Sequence, residues 1–190
     1  MAEQDTELAR MQILRFSNEE SNRITREAIE SALIILMREK AFSAISITDI
    51  VKKAGVSRTA YYRNYASKED ILQNVVTDLV NKITSAMSRH DPNTEAYDFW
   101  LEMFRAAEND ADTFSILFSA NLGETIFHKV NQMLIENKHL EGADEQYAQL
   151  FWNGAAFGVV AHWITHHMPQ TPEEMTRIIC NTISPLQNQK

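Results

Sequence analysis

Turn-forming residues are scarce in this chain: five glycines and four prolines serve 190 positions. Sandwiches, barrels and doubly wound sheets need frequent turn chemistry, so they are excluded. No stretch alternates apolar and polar residues long enough to make a strand, whereas apolar residues recur at three- and four-residue spacing. The chain is therefore expected to be all-α, with about nine helices. At 44% apolar and 23% charged residues, its composition is that of an ordinary globular protein long enough to bury a core. One cysteine, Cys180, leaves no disulfide framework and no cysteine-based zinc cluster, and it fits a reducing compartment. The longest apolar run, Ala155 to Ala161 with glycine counted, is far short of the roughly 20 residues that cross a bilayer. The first twenty residues carry five acids and lack the apolar core of a secretory leader. A cytoplasmic protein with no membrane partner is expected.

Charge is distributed in blocks. Residues 1–20 hold two basic and five acidic residues; 21–68 hold nine and four, a net +5; 69–190 hold seven and seventeen, a net −10. A basic block inside a chain of net charge −8 suggests that one part faces a polyanion, although a solvated basic helix face would read the same way.

Local punctuation places the elements. Residues 1–20 read as a polar tail or a short extra helix, and the pattern Ser17-Asn-Glu-Glu20, or Ser21, starts the first main helix. That helix carries an apolar stripe through Ile24, Ala28, Ala32, Ile35 and Leu36, and residues 42–45 interrupt it. Ser46 caps a short helix over Ile47–Ala54, Gly55 ends it, and Ser57 caps another over Arg58–Asn64. Ser67 starts a longer helix whose first turn carries Glu69 and Asp70. Asp91-Pro92 reads as a cap followed by proline at the first helical position, with further helices near 112–121 and 123–137. Gly142 precedes a helix over 143–167 that Pro169 ends, and Thr171-Pro172-Glu-Glu174 opens the last one, to about 187. The expected domains are a helix-turn-helix domain over 21–66 and a helical domain over 67–190.

Two short helices separated by Gly-Val-Ser are the mark of a helix-turn-helix, with Ala54 small at the crossing and Val56 filling the corner. Arg58, Thr59, Tyr61, Arg63 and Asn64 crowd onto a turn and a half of helix with few acids nearby. Arg can read guanine bidentately, Asn can read adenine, and hydroxyls of Ser, Thr and Tyr can donate to phosphates. Ser46 and Thr48, at a helix start, are candidates for another phosphate. Tyr61 and Tyr65 serve equally well as core residues. The segment FSAISITDIVKKAGVSRTAYYRNYASKEDIL, residues 42–72, resembles the DNA-binding domain of TetR-family transcriptional regulators along its whole length. Gly55, Val56, Ser57, Tyr62, Tyr65, Lys68, Glu69 and Leu72 carry the resemblance in register. It implies that the second short helix enters the major groove, and that Tyr62 and Lys68 clamp the phosphate backbone. Ala41 and Thr59 stand where that family often has glycine, and Ala60 where it often has threonine, so the base preference is open to change.

The segment YAQLFWNGAAFGVVAHWITHHMPQTPEEMTRII, residues 147–179, looks like the C-terminal domain of a branch that includes relatives of dihydroxyacetone-kinase regulators. That resemblance implies a homodimer built on helices 143–167 and 172–187, with Gly154, Gly158, His162, Met175 and Ile179 as candidate contacts. It also implies a small-molecule effector among the central helices. Met87, Trp100, Met103, Phe104, Phe114, Phe118, Phe127, Trp152 and Phe157 are candidate lining residues, with Met133 beside them. Aromatic and Met residues at this spacing are equally the material of a plain core. Few charges interleave with them, so an apolar or neutral effector is expected. His162 and His166 stand four apart, the spacing of paired metal ligands, but no carboxylate or cysteine follows at supporting distance and His suits a helix C-terminus anyway. No metal and no cofactor are expected.

The sequence holds no Ser/His/Asp order, phosphate loop or paired carboxylates in a glycine-rich setting, so an enzyme is not expected. The function expected is a sequence-specific regulator on an inverted-repeat duplex operator, a repressor released by its effector. The alternative is a coactivator that keeps the fold without using its own DNA contacts.

Overall fold

The structure is a computed structural model that describes residues 2–138, 140 and 142–187, with side chains over 18–135, 140 and 142–184. Among the described residues there are nine α-helices and no strands: α1 (Ala2–Glu39), α2 (Ile47–Ala54), α3 (Arg58–Asn64), α4 (Lys68–Met87), α5 (Ala96–Asn109), α6 (Ala111–Ser119), α7 (Gly123–Lys138), α8 (Ala143–Thr165) and α9 (Pro172–Gln187). A single 3-10 turn, Phe42–Ala44, follows α1. The chain divides into two compact units, Met1–Asn74 and Val75–Lys190.

In the first unit, α1 packs on α2 and α3 and supplies Ile29, Ala32, Leu33 and Leu36 to a core completed by Ile45, Ile50, Val51, Tyr61, Tyr65, Ile71 and Leu72. The expected start of the first main helix at Ser17 or Ser21 is overturned, because α1 runs without a break from Ala2 to Glu39. No glycine or proline interrupts that span, and Arg23 reaches back across Ser21 to pair with Glu20 at 2.6 Å. Such an i,i+3 pair supports helix continuation.

In the second unit α5 packs extensively on α9, while α8 lies against α5, α6 and α7. Its core holds Val76, Leu79, Val80, Trp100, Phe104, Phe114, Leu117, Ile126, Trp163 and Ile164. Two boundaries differ from the sequence reading. Asp91 does not cap α5. Its carboxylate accepts from the Asn93 N–H at 2.8 Å, a local turn that competes with helix, and α5 begins at Ala96. Likewise α8 stops at Thr165, before Pro169: His167 and Met168 take left-handed φ values of 63° and 50°. Proline disfavours the right-handed helical region for the residue before it, so the chain leaves the helix ahead of Pro169. The start of α9 is as expected, with Thr171 and Glu174 exchanging side chain to backbone hydrogen bonds at 2.9 and 3.2 Å.

Candidate nucleic-acid interface

The α2–turn–α3 motif is built from local chemistry. Ser46 Oγ accepts from the Asp49 N–H at 3.2 Å while an Asp49 carboxylate oxygen accepts from the Ser46 N–H at 2.9 Å. Gly55 sits at φ 68°, ψ 26°, a left-handed position that only glycine takes without cost, and the Val56 N–H reaches back to the Val51 carbonyl at 3.1 Å. Ser57 then caps α3 by accepting from the Ala60 N–H at 3.1 Å. The two helices are thus set by one capping box, one glycine and one serine.

On α3 no residue is acidic, and Thr59, Tyr62 and Arg63 project into solvent. Tyr62 is 56% exposed and leans edge-on against the buried Tyr61 ring at 5.2 Å. Among the described residues Arg63 has no hydrogen-bond or ion-pair partner, so its five donors are open to a ligand. Arg58 is also exposed, but one of its terminal nitrogens donates to Thr48 Oγ1 at 2.6 Å, tying the start of α3 to that of α2. Asn64 is half-buried and donates one amide hydrogen back to the Ala60 carbonyl at 2.8 Å, which leaves its second amide hydrogen and its side-chain oxygen to meet a base.

Three expected contacts are corrected by the geometry. Tyr61 is fully buried and is core, not interface. Lys68 does not present a free ammonium: it donates to the carbonyls of Phe42, Ser43 and Ile45 at 2.8, 3.2 and 2.9 Å and lies 4.7 Å from the Phe42 ring centroid. An ammonium has three protons, and these carbonyls take all of them. Lys68 therefore anchors the 3-10 turn to the start of α4. Ser46 is committed as well, donating its hydroxyl proton to Asp49 at 2.8 Å. The carboxylate of Asp49 stands at the α2 N-terminus where a phosphate was expected. The Lys40 ammonium at 2.8 Å, the Ser46 N–H and the Ser46 hydroxyl hold that carboxyl well below its ordinary range, so it stays charged and repels an anion.

Linear sequence gave no sign of what holds the far end of α3. Tyr65, its C-cap, donates to the Glu30 carboxylate of α1. Asn74 of α4 donates to the same Glu30 oxygen at 2.8 Å and to the Tyr65 hydroxyl at 3.3 Å, while Arg26 lies over the Tyr65 ring at 5.7 Å. Burial, then the bond to Glu30, raises the Tyr65 phenol above its ordinary value. The four residues span 49 positions of sequence, which is why no motif announces them.

In the second unit, the nine expected effector-lining residues differ in burial: four are buried, four half-buried and one exposed. Trp100, Met103, Phe104 and Phe114 are buried, with Phe104 packed edge-on to Trp163 at 5.4 Å. Phe118, Phe127 and Phe157 are half-buried and touch in series, at 5.9 Å between Phe118 and Phe157 and 5.0 Å between Phe127 and Phe157. Met87 is half-buried near the end of α4, and Trp152 is exposed beside Phe151. None of the nine lines either of two surface clefts, one of about 800 Å³ between α4 and α5 and one of about 410 Å³ at the end of α8.

The expected dimer contacts also sort by exposure. Gly158 and His162 are exposed, and a Cβ on Gly158 would meet nothing within 4 Å. Gly154 instead faces Phe127, 3.8 Å from its Cβ position, and Met175 is buried within its own chain, so both are corrected to intrachain packing. Ile179 is half-buried. Sequence reasoning missed Tyr147, Phe151 and Ile178, which are 73%, 63% and 49% exposed. The signal was available: Tyr147, Phe151, Ala155, Gly158 and His162 recur at four, four, three and four, one face of a helix.

Residues 29–75 match the family model described as bacterial regulatory proteins, tetR family, and residues 94–185 match one described as transcriptional regulator C-terminal region. The chain is 32% identical over 72 residues to the HTH-type transcriptional regulator YxbF of Bacillus subtilis (strain 168), a match that covers 35% of this chain and 19% of that relative's length. By fold it is similar to a TetR transcriptional regulator from Streptococcus agalactiae 2603V, with a TM-score of 0.60 at 18% identity over 89% of this chain and 98% of that one. It is similar also to DhaS, a dihydroxyacetone kinase operon activator, with a TM-score of 0.55 at 16% identity over 85% and 95%. With its helix-turn-helix and its C-terminal helices each matched to regulator domains, the chain belongs to the TetR family of transcriptional regulators.

Proposed function

We propose that this regulator binds an inverted-repeat duplex operator as a homodimer, with α3 of each copy in a major groove, and that it is a repressor released by a small apolar or neutral effector. The observation that carries the reading is the face of α3: Thr59, Tyr62 and Arg63 are exposed together on a helix without acids, and Arg63 is unpaired among the described residues. Arg63 and the Tyr62 hydroxyl take phosphates, Arg58 and Asn64 reach base edges, and Ser57 and Thr48 flank them. A two-fold partner is supported by the exposed face of α8 that carries Tyr147, Phe151, Ala155 and Gly158, and by the exposed Ile178 of α9, apolar surface that a second copy would cover. An apolar effector is assigned to the half-buried tier of Phe118, Phe127 and Phe157, which opens with less disruption than the closed tier around Phe104.

The test is filter binding to duplex DNA across a salt series. The wild-type protein should bind with a steep salt slope, and Arg63→Ala should weaken binding to all sequences and lower that slope by about one. An unchanged slope for Arg63→Ala together with Tyr62→Phe would remove α3 from the phosphate contacts.

A further inference from the structure

We propose that Asn74, acting through Glu30 and Tyr65, is a positioning residue for sequence reading that fixes the angle at which α3 meets base edges. The inference rests on the DNA-reading role given to α3 and adds a determinant of specificity that lies off that helix. With seven residues α3 is about 10 Å long, so a small shift of either end tilts it. Its start is held by the Ser57 cap and by the bond from Arg58 to Thr48. Its other end passes straight into extended backbone at Tyr65, φ −141° and ψ 136°. There the buried Tyr65 side chain is the anchor, and its hydroxyl donates to the Glu30 carboxylate. The phenol oxygen in turn accepts from the Asn74 amide nitrogen at 3.3 Å and from Arg26 Nε at 3.4 Å. Asn74 also donates to the Glu30 oxygen at 2.8 Å. A phenol has one proton and two lone pairs, and a carboxamide nitrogen has two protons, so both groups are saturated. Asn74 thus orients the hydroxyl and its acceptor from α4, while Glu30 and Arg26 hold the ring's polar end from α1. A fully satisfied network in a part-buried place rigidifies its members into one arrangement. Base edges must be met to within about 0.5 Å, which depends on the groups that support the reading side chains. Phosphate contacts repeat along the duplex and carry no sequence information. Loss of Asn74 is therefore expected to cost discrimination between sequences rather than affinity for duplex DNA in general.

The test compares the full chain's affinity for two duplexes: the one that the wild type selects from a random pool, and a random-sequence duplex of equal length. Asn74→Ala and Tyr65→Phe, the second of which keeps the ring in the core, should each lower the ratio of the two affinities roughly tenfold. That is the scale of one mismatched base pair. Affinity for the random duplex should stay within about twofold of wild type, because the backbone contacts remain. Glu30→Ala should lower the ratio as Asn74→Ala does, whereas Glu30→Gln keeps an oxygen that accepts both bonds and should restore it. Leu33→Val, a truncation in the same core but outside the network, should lower stability and keep the wild-type ratio. A wild-type ratio in Asn74→Ala and Tyr65→Phe, an equal loss on both duplexes, or the same fall in Leu33→Val would overturn the proposal while leaving the reading of α3 intact. A wild-type chain that prefers no duplex would overturn that reading and this inference with it.

Discussion

Lys68 and Arg63 stand five residues apart and divide the work of a cation between them. Lys68 has three carbonyl acceptors, so its charge holds the chain reversal before α2 in place. Removing it takes a donor from all three carbonyls, of which Phe42 alone keeps a backbone partner in the Ile45 N–H, and Lys68→Ala should destabilise the N-terminal unit by about 1–2 kcal/mol in denaturant titrations. The slope of DNA affinity against salt should stay close to wild type for this variant, in contrast to Arg63→Ala. A falling slope with unchanged stability would return Lys68 to the phosphate contacts. Tyr62→Phe removes only a hydroxyl, and if that hydroxyl donates to a phosphate it should cost about 1 kcal/mol of binding. Arg58→Ala should behave differently, relaxing preference at particular base pairs by about 1–3 kcal/mol on the best site and changing random-sequence binding little.

At the scale of the element, α2 depends on its capping box. Ser46→Ala deletes the acceptor for the Asp49 N–H and should cost about 1 kcal/mol. Asp49 also ties stability to pH. Its folded-state carboxyl lies below the ordinary value of 3.8, so its contribution is complete above that value and is lost as pH falls towards the depressed one. Melting temperature should therefore drop between about pH 5 and the acid limit, and Asp49→Asn should flatten part of that drop while lowering stability at neutral pH. An unchanged acid limb in Asp49→Asn would place the sensitivity in other carboxylates. The same contrast between local and distant interactions decides what the sequence made legible. Ser46, Gly55 and Ser57 act within four residues of themselves, and α2 and α3 have the bounds read from them. α1 runs on because nothing between Ala2 and Glu39 stops it: a serine can start a helix, but without a glycine or proline before it the preceding turn has no reason to end. The roles of Lys68 and of the Glu30–Tyr65–Asn74 network depend on contacts across 9 to 44 positions, which no local pattern contains.

For the molecule as a whole, the proposed dimer turns on an open position. A Cβ added at Gly158 meets nothing within 4 Å, so Gly158→Leu has room in the single chain and should retain its helical content. Against a second copy the same side chain overpacks, at a cost of roughly 1–3 kcal/mol, and sedimentation should shift towards monomer. A mutant that stays a tight dimer would move the interface away from α8. Effector control adds a reciprocal requirement. If an effector weakens operator binding, operator must weaken effector binding by the same factor, typically ~5- to 150-fold, with Phe118→Ala as the control for the half-buried aromatic tier. The central claim is that α3 of two copies reads duplex DNA, and selection of bound duplexes from a random pool tests it most directly. An inverted repeat should be enriched, with half-sites one helical turn of about 10 base pairs or a multiple of it apart. Arg58→Ala should broaden the selected bases within each half-site. A pool that shows no enrichment, or a preferred site without dyad symmetry, would contradict the account.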